Sequence, residues 1–205
     1  MPSGAGESIS FVRRQVKPPA NLLALLEYRM HAVAVGHMAL CRSMMWDEPP
    51  SIQILFDGLQ VVEGKATAFT NPAIEAAIVH SRALLEFLGL GLVRDSQTKL
   101  KERTSREPTD YGVEQFAPLQ RVPVAKALSS YPGPAVEAEA SLAYVIYLAN
   151  KGLAHTASSF TKHDQGSQLL EVALRGVPVL VVNNFYVPLG LEPPEYLPPG
   201  RPRAA

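Results

Sequence analysis

Residues 22–45 read LLALLEYRMHAVAVGHMALCRSMM, a long stretch in which apolar side chains recur at helical spacing and no proline intervenes. Leu22, Leu26, Met30 and Val33 fall on one stripe of this segment. Asn21 is suited to cap its amino end, and the run DEPP at 47–50 would end it. The stretch therefore predicts a long amphipathic helix that must be covered by other helices.

Three further segments carry the same periodicity, at 71–89, from about 134 to 153, and from about 164 onward. Because each apolar stripe needs a partner, we expect an all-α fold, a bundle of four or five helices. A long irregular insertion, 93–134, separates the second and third main helices, with one short helix predicted at 124–130. The predicted boundaries are a flexible tail at 1–20, the bundle at 21–187 and a proline-rich tail at 188–205.

Residues 51–70 leave two structures open. Their apolar side chains are compatible with a short helix, or with a pair of strands turning at Asp57 and Gly58. After this segment, Asn71 is expected to cap the second helix with Pro72 at its first position. Gly89 or Gly91 is expected to close it.

The bulk composition indicates one globular domain. The chain has 205 residues, is 47% hydrophobic and carries 19 basic and 19 acidic residues. Zero net charge argues against a general nucleic-acid binder. We see no secretory signal and no apolar run near the ~20 residues of a membrane span, so a cytoplasmic protein without a membrane partner is expected. The single cysteine, Cys41, is expected to fill the core.

The charge is unevenly distributed. Five cations crowd a short polar stretch of the insertion: Arg94, Lys99, Lys101, Arg103 and Arg106. Such a stretch could contact phosphate groups. A solvated, mobile loop is the alternative, and we favour it over phosphate binding.

No familiar metal or cofactor motif is present. The sequence has no glycine-rich phosphate fingerprint and no Cys/His zinc spacing. Glu27 and His31 lie four residues apart on the first helix, and a metal would need ligands from a second helix. We interpret this pair as a polar contact and expect no metal and no cofactor.

Two groups of polar residues are candidates for a site. Glu75, Arg82 and Glu86 recur on a similar side of the second helix, where Arg82 could hold a substrate phosphate or form an ion pair, the interpretation we favour. Asn150, Lys151 and His155 end the third helix. His155 could act as a general base or acid, or could only cap the helix, and these alternatives stay open.

Residues 150–155, NKGLAH, together with the preceding helix that contains SRALLEF at 81–87, resemble the HEPN superfamily. Members of that family are helical bundles, commonly dimeric, and many are metal-independent ribonucleases. The resemblance implies that Asn150 and His155 are catalytic. The arginine that begins the family motif is missing here, and Lys151 is a candidate catalytic residue as its cationic substitute.

Two function classes follow. One is a HEPN-like RNA-processing or RNA- or nucleotide-binding protein, which as an enzyme would be a metal-independent endoribonuclease. The other is a non-enzymatic helical interaction module that forms a homodimer, because the helix at 22–45 has apolar residues on more than one side.

Overall fold

The computed structural model describes residues 17–94, 96–131, 133–152 and 165–196. Within these ranges the chain is mainly helical, and two small antiparallel sheets correct the expected all-α fold. The five α-helices are α1 (Ala20–Ser43), α2 (Thr67–Leu88), α3 (Val124–Ser129), α4 (Ala135–Tyr147) and α5 (Gly166–Val181). The four strands are β1 (Ser51–Phe56), β2 (Leu59–Lys65), β3 (Leu90–Leu92) and β4 (Leu100–Glu102).

The predicted long helix is present as α1. It begins at Ala20 with Pro19 at the N-cap, so Asn21 lies inside the helix instead of capping it. Proline suits this position, because it has no N–H and its φ is fixed. The helix packs against α2 and α5, and Gly36 allows the close approach, since a Cβ there would overlap Ala77.

Residues 51–65 adopt the second of the two predicted structures, a β-hairpin. β1 pairs with β2 so that Ile54 lies opposite Val62. Asp57 and Gly58 form the turn with φ of 50° and 82°, a conformation in which glycine and aspartate are favoured. The hairpin is joined directly to α2, because the N–H of Ala66 donates to the carbonyl oxygen of Pro50 at 2.8 Å.

This junction corrects the predicted start of α2. The helix begins at Thr67, so Asn71 is not its cap and Pro72 lies inside it. The helix starts early because the hairpin closes at Ala66, and this residue already has a helical backbone conformation. The other end is as predicted: Gly89 closes α2 with φ of 92°.

The insertion is more ordered than predicted. β3 pairs with β4, a 3₁₀ turn covers Val113–Gln115, and α3 confirms the short helix. The N–H of Arg103 donates to the carbonyl oxygen of Gly89 at 2.8 Å, which extends the β3–β4 pairing toward the end of α2.

After α4 the chain makes a π-helical turn, Leu148–Gly152. At the far end of α5, with Pro178 inside it, the chain continues through a second π-helical turn, Val182–Tyr186, and a 3₁₀ turn, Val187–Leu189. The combined segment Gly166–Leu189 is long and apolar enough to span a membrane, which corrects the expectation that no run approaches that length. Its place in the core accounts for this character, because 61% of the apolar window is buried inside the fold.

The core lies between α1, α2, α4 and α5. Phe185 is fully buried and meets Phe87, Phe116 and Tyr186 edge-to-face, with ring centroids 5.1, 5.6 and 5.2 Å away. Cys41, expected in the core, is only half-buried.

Candidate functional site

Arg82 and Glu86 lie one turn apart on α2 and form the predicted ion pair. Arg82 Nε donates to Glu86 Oε1 at 3.1 Å. The same carboxylate oxygen lies 2.6 Å from Nη1 of Arg103, which follows β4. Glu86 therefore joins α2 to the basic stretch of the insertion through two arginines.

Glu75 is not part of this arrangement. Seven residues separate it from Arg82, so the two side chains share a side of α2 but lie about 10 Å apart along its axis. Glu75 is exposed, whereas Arg82 and Glu86 are half-buried. The structure thus brings together two of the three residues predicted on this helix.

Arg106 serves the end of α2. Its Nη2 donates to the backbone carbonyl oxygens of Glu86 at 2.9 Å and Phe87 at 3.3 Å. Its Nη1 donates to the carbonyl oxygen of Tyr111 at 2.8 Å, and the side chain is only 8% exposed. Because the last carbonyl groups of a helix have no partner within it, Arg106 acts as a cap supplied from a distant segment.

Glu114 anchors two arginines of the insertion. Its Oε1 accepts from Nε of Arg106 at 3.1 Å and from Nε of Arg121 at 2.9 Å. Partial burial acts to raise the pKa of Glu114, but the hydrogen bonds from Arg106 and Arg121 outweigh it and hold that pKa below its usual range. Arg121 Nη1 also donates to the carbonyl oxygen of Arg103 at 2.7 Å, which fixes the backbone beside Glu86.

A polar cavity of about 270 Å³ opens where these segments meet. We name it the Arg103 pocket. Its lining is drawn from the end of α2, the β3–β4 region and the π-helical turn after α4, and consists of Glu86, Gly91, Leu92, Lys101, Arg103, Thr104, Ser105, Ile146 and Asn150. The lining thus combines cationic, hydroxyl-bearing and amide-bearing residues with one carboxylate that is already paired.

Of the three predicted catalytic residues, the structure places one in the Arg103 pocket. Asn150 is half-buried and lines the Arg103 pocket. Lys151 is exposed and is not part of the lining. His155 lies outside the described residues. Asn150 and Lys151 both belong to the π-helical turn, a distortion found frequently at functional sites.

Lys101 and Arg103 line the pocket but belong to no recognised sequence motif. The signal was the clustering of cations at 94–106, for which phosphate binding was the less favoured interpretation. The structure divides that cluster. Lys101 and Arg103 line the pocket, Arg106 caps α2, and Lys99 donates to Glu139 Oε2 at 2.8 Å.

Glu86 also borders a second cavity, of about 360 Å³, beside α1. Arg29, Arg106, Asp110 and Tyr111 contribute to its lining. Glu27 and His31, the pair considered for a metal, line a third cavity with Glu195. Within the described ranges, Glu27 and His31 are not in the group of three potential metal ligands that approach one another closely.

No protein-family model, curated protein or solved structure matches this chain.

Proposed function

We propose that this protein is a HEPN-like helical-bundle protein that binds RNA, with a backbone phosphate held in the Arg103 pocket. The observation that carries the proposal is the lining itself. Lys101 and Arg103 line one cavity together with Asn150, Thr104 and Ser105, residues whose side chains carry amide and hydroxyl groups. Cations with hydroxyl and amide donors are the groups that proteins use to bind phosphate.

The ion pairs that Glu86 forms with Arg103 and Arg82 leave both arginines available to a ligand. The side chains of Arg103 and Glu86 are 28% and 27% exposed, and Arg82 is 41% exposed. Ion pairs with this much solvent contact contribute little net stability, so a phosphate with several acceptor oxygens can compete for the guanidinium groups. The pocket lining holds two cations, Lys101 and Arg103, and one carboxylate, Glu86, which is also paired with Arg82 outside the lining, so the lining carries a net positive charge.

The size of the cavity favours a single-stranded ligand. Its volume of about 270 Å³ lies just below the ~300–1,000 Å³ typical of small-molecule sites. A space of this size suits a phosphate group and the atoms next to it. Single-stranded RNA offers separate nucleotides with accessible phosphates, and the neutral net charge accords with one local contact site instead of a broad basic face.

RNA cleavage is the finer part of the proposal. His155 follows Asn150 by five residues. Its imidazole would take the proton of the RNA 2′-hydroxyl group as the 2′-oxygen bonds to phosphorus, while the bond from phosphorus to the 5′-oxygen breaks and that oxygen takes a proton from water. Asn150 and the cations of the pocket would stabilise the charge that develops on phosphorus. This reaction needs only the groups of the chain itself.

Binding is tested with single-stranded RNA of mixed sequence by fluorescence anisotropy at two salt concentrations. Lys101→Ala should weaken binding and lower its salt dependence, because one phosphate contact is lost. Lys126→Ala on α3 removes the same charge outside the pocket lining and should leave affinity within about twofold. Equal effects of the two substitutions would contradict the proposed site.

Cleavage is tested separately with the same RNA in chelator. Wild type should cleave, and His155→Ala should lose about 10²–10⁴ in rate. Equal cleavage by both proteins, or none by wild type, would remove the nuclease part and leave the RNA-binding part to the anisotropy experiment.

A second candidate function, a homodimeric interaction module, is favoured by the β1–β2 hairpin. Apolar side chains along it are 39–73% exposed, namely Leu55, Phe56, Leu59, Val61 and Val62. An isolated two-stranded hairpin is marginally stable in water, and a contiguous exposed apolar surface marks a contact site. Sedimentation at micromolar concentration distinguishes a dimer from a monomer of 22.2 kDa.

A further inference from the structure

Three side chains with metal-binding atoms meet where α1 contacts α5. His37 and Cys41 lie four residues apart on α1, so they share one face of that helix. Glu171 reaches them from α5, 134 positions along the chain from His37. The imidazole nitrogen, the sulfur and a carboxylate oxygen all lie within 4.8 Å of one another.

The distances are close to those around a tetrahedral metal ion. His37 Nε2 lies 3.0 Å from Glu171 Oε1 and 3.5 Å from Cys41 Sγ. With zinc–ligand bonds of about 2.0–2.3 Å, tetrahedral geometry separates nitrogen and oxygen by about 3.4 Å and nitrogen and sulfur by about 3.6 Å. The two imidazole contacts thus differ from the coordinated geometry by a few tenths of an ångström.

Neither protonation state of His37 Nε2 satisfies both of its contacts, because the same imidazole nitrogen faces both Glu171 and Cys41. With a hydrogen on Nε2, the contact to Glu171 is satisfied, but Nε2 can no longer accept from the thiol of Cys41. Without that hydrogen, lone pairs of Nε2 and the Glu171 carboxylate oppose each other. A cation bound to all three atoms satisfies both contacts together.

The surroundings of the cluster suit an ion that enters from solvent. The side chains of His37 and Glu171 are 27% and 28% exposed, and Cys41 is half-buried. Arg175, one turn beyond Glu171, lies 3.1 Å from the same carboxylate oxygen. With a metal bound, Arg175 would orient that carboxylate from outside, as outer partners of metal ligands do.

We propose that His37, Cys41 and Glu171 form a binding site for a divalent d-block cation of the zinc type, with a fourth position open to solvent. Mixed nitrogen, sulfur and oxygen ligands favour zinc over magnesium or calcium, which prefer oxygen alone. A thiolate and a carboxylate together neutralise the two charges of the ion. The site lies on other elements than the Arg103 pocket, so it does not depend on the proposed RNA binding.

The single cysteine makes the experiment specific to this site. Cys41 is the one thiol in the chain, so its rate of reaction with iodoacetamide reports whether its sulfur is coordinated. In the full-length protein freed of metal with chelator, added zinc should slow this reaction about 100-fold when its concentration is about 100 times the Kd. Cobalt(II) should produce a sulfur-to-cobalt charge-transfer absorption at one equivalent.

Variants separate coordination from accidental zinc binding. His37→Gln and Glu171→Gln should raise the zinc concentration needed to protect Cys41 by more than the about 10–100-fold that loss of an outer partner costs in metal affinity. His31→Gln, on the same helix but outside the cluster, should leave protection intact, and circular dichroism checks that each variant is folded. Unprotected Cys41 in wild type, or equal protection in His37→Gln and His31→Gln, would overturn the proposal.

Discussion

Arg106 Nη2 donates a hydrogen bond of 2.9 Å to the backbone carbonyl oxygen of Glu86, twenty positions away in the chain. This contact fastens the insertion to the end of the helix that carries Arg82 and Glu86. The end of α2 is therefore completed by a side chain from outside the helix, and Glu86 at this end also lines the Arg103 pocket.

Arg106→Ala should destabilise the fold by about 2–4 kcal/mol, because it removes the hydrogen bonds to the carbonyl oxygens of Glu86 and Phe87 and one of the two arginines paired with Glu114. Urea unfolding followed by circular dichroism measures this loss. Arg42→Ala, at an exposed position in the last turn of α1, is the matched control and should cost less than about 1 kcal/mol. Similar losses for both variants would contradict the capping role of Arg106.

Glu114 should make stability depend on pH. Its pKa is lowered in the folded protein, so its contribution is present above the unfolded-state pKa of about 4.3 and is lost as pH falls through the folded-state pKa. Glu114→Gln should cost about 1–3 kcal/mol at pH 7, and this difference from wild type should shrink below about pH 4. The exposed Glu107→Gln serves as control. A difference that stays constant with pH would contradict this account.

Gly176 of α5 lies against the ring of Tyr131, which a Cβ at that position would overlap. Gly176→Ala should therefore destabilise the protein by about 1–3 kcal/mol, although the same change in an open helix position stabilises by up to about 1 kcal/mol. A lower melting temperature of Gly176→Ala in thermal unfolding would support the prediction, and a higher one would contradict it. Gly64→Ala, where the added methyl group meets nothing, should change stability little.

Asn150 gives a charge test of the Arg103 pocket. Asn150→Asp places a carboxylate beside Lys101 and Arg103 and should weaken RNA binding at least tenfold, because like charges repel the phosphate. Asn183→Asp makes the same change at an exposed position of the other π-helical turn. Anisotropy titrations that show no difference between the two variants would argue against phosphate in the pocket.

The hairpin tip gives a test of association. Phe56 and Leu59 are 67% and 73% exposed, so replacing both with aspartate removes apolar surface without disturbing the core. A dimer held by the hairpin should become monomeric in sedimentation experiments and keep its circular dichroism spectrum. The exposed Val136→Asp on α4 is the control and should leave the association unchanged.

Local signals in the sequence predicted much of the helical fold. Proline before α4 and glycine after α2 act within one turn, so those boundaries are as predicted. The start of α2 was missed because it depends on the closed hairpin, through the bond between Ala66 and Pro50. The hydrophobic periodicity of a segment carries no information about such a contact.

The site was less predictable, because its parts come from separate segments. The sequence marks three separate candidates: Asn150, Glu86 and the cations of the insertion. Only the β3–β4 pairing brings Lys101 and Arg103 to the cavity that Asn150 and Glu86 also line. Likewise, the four-residue spacing of His37 and Cys41 is visible in the sequence, whereas the approach of Glu171 requires the packing of α5 on α1.

The junction at Ala66 gives α2 a mechanical role. The helix has 22 residues and so is a rod of about 33 Å. The base of the hairpin is fixed to its first turn, and Arg82 and Glu86 lie in its last two turns. A displacement of the hairpin would therefore be transmitted along the same helix that places Glu86 in the lining of the Arg103 pocket.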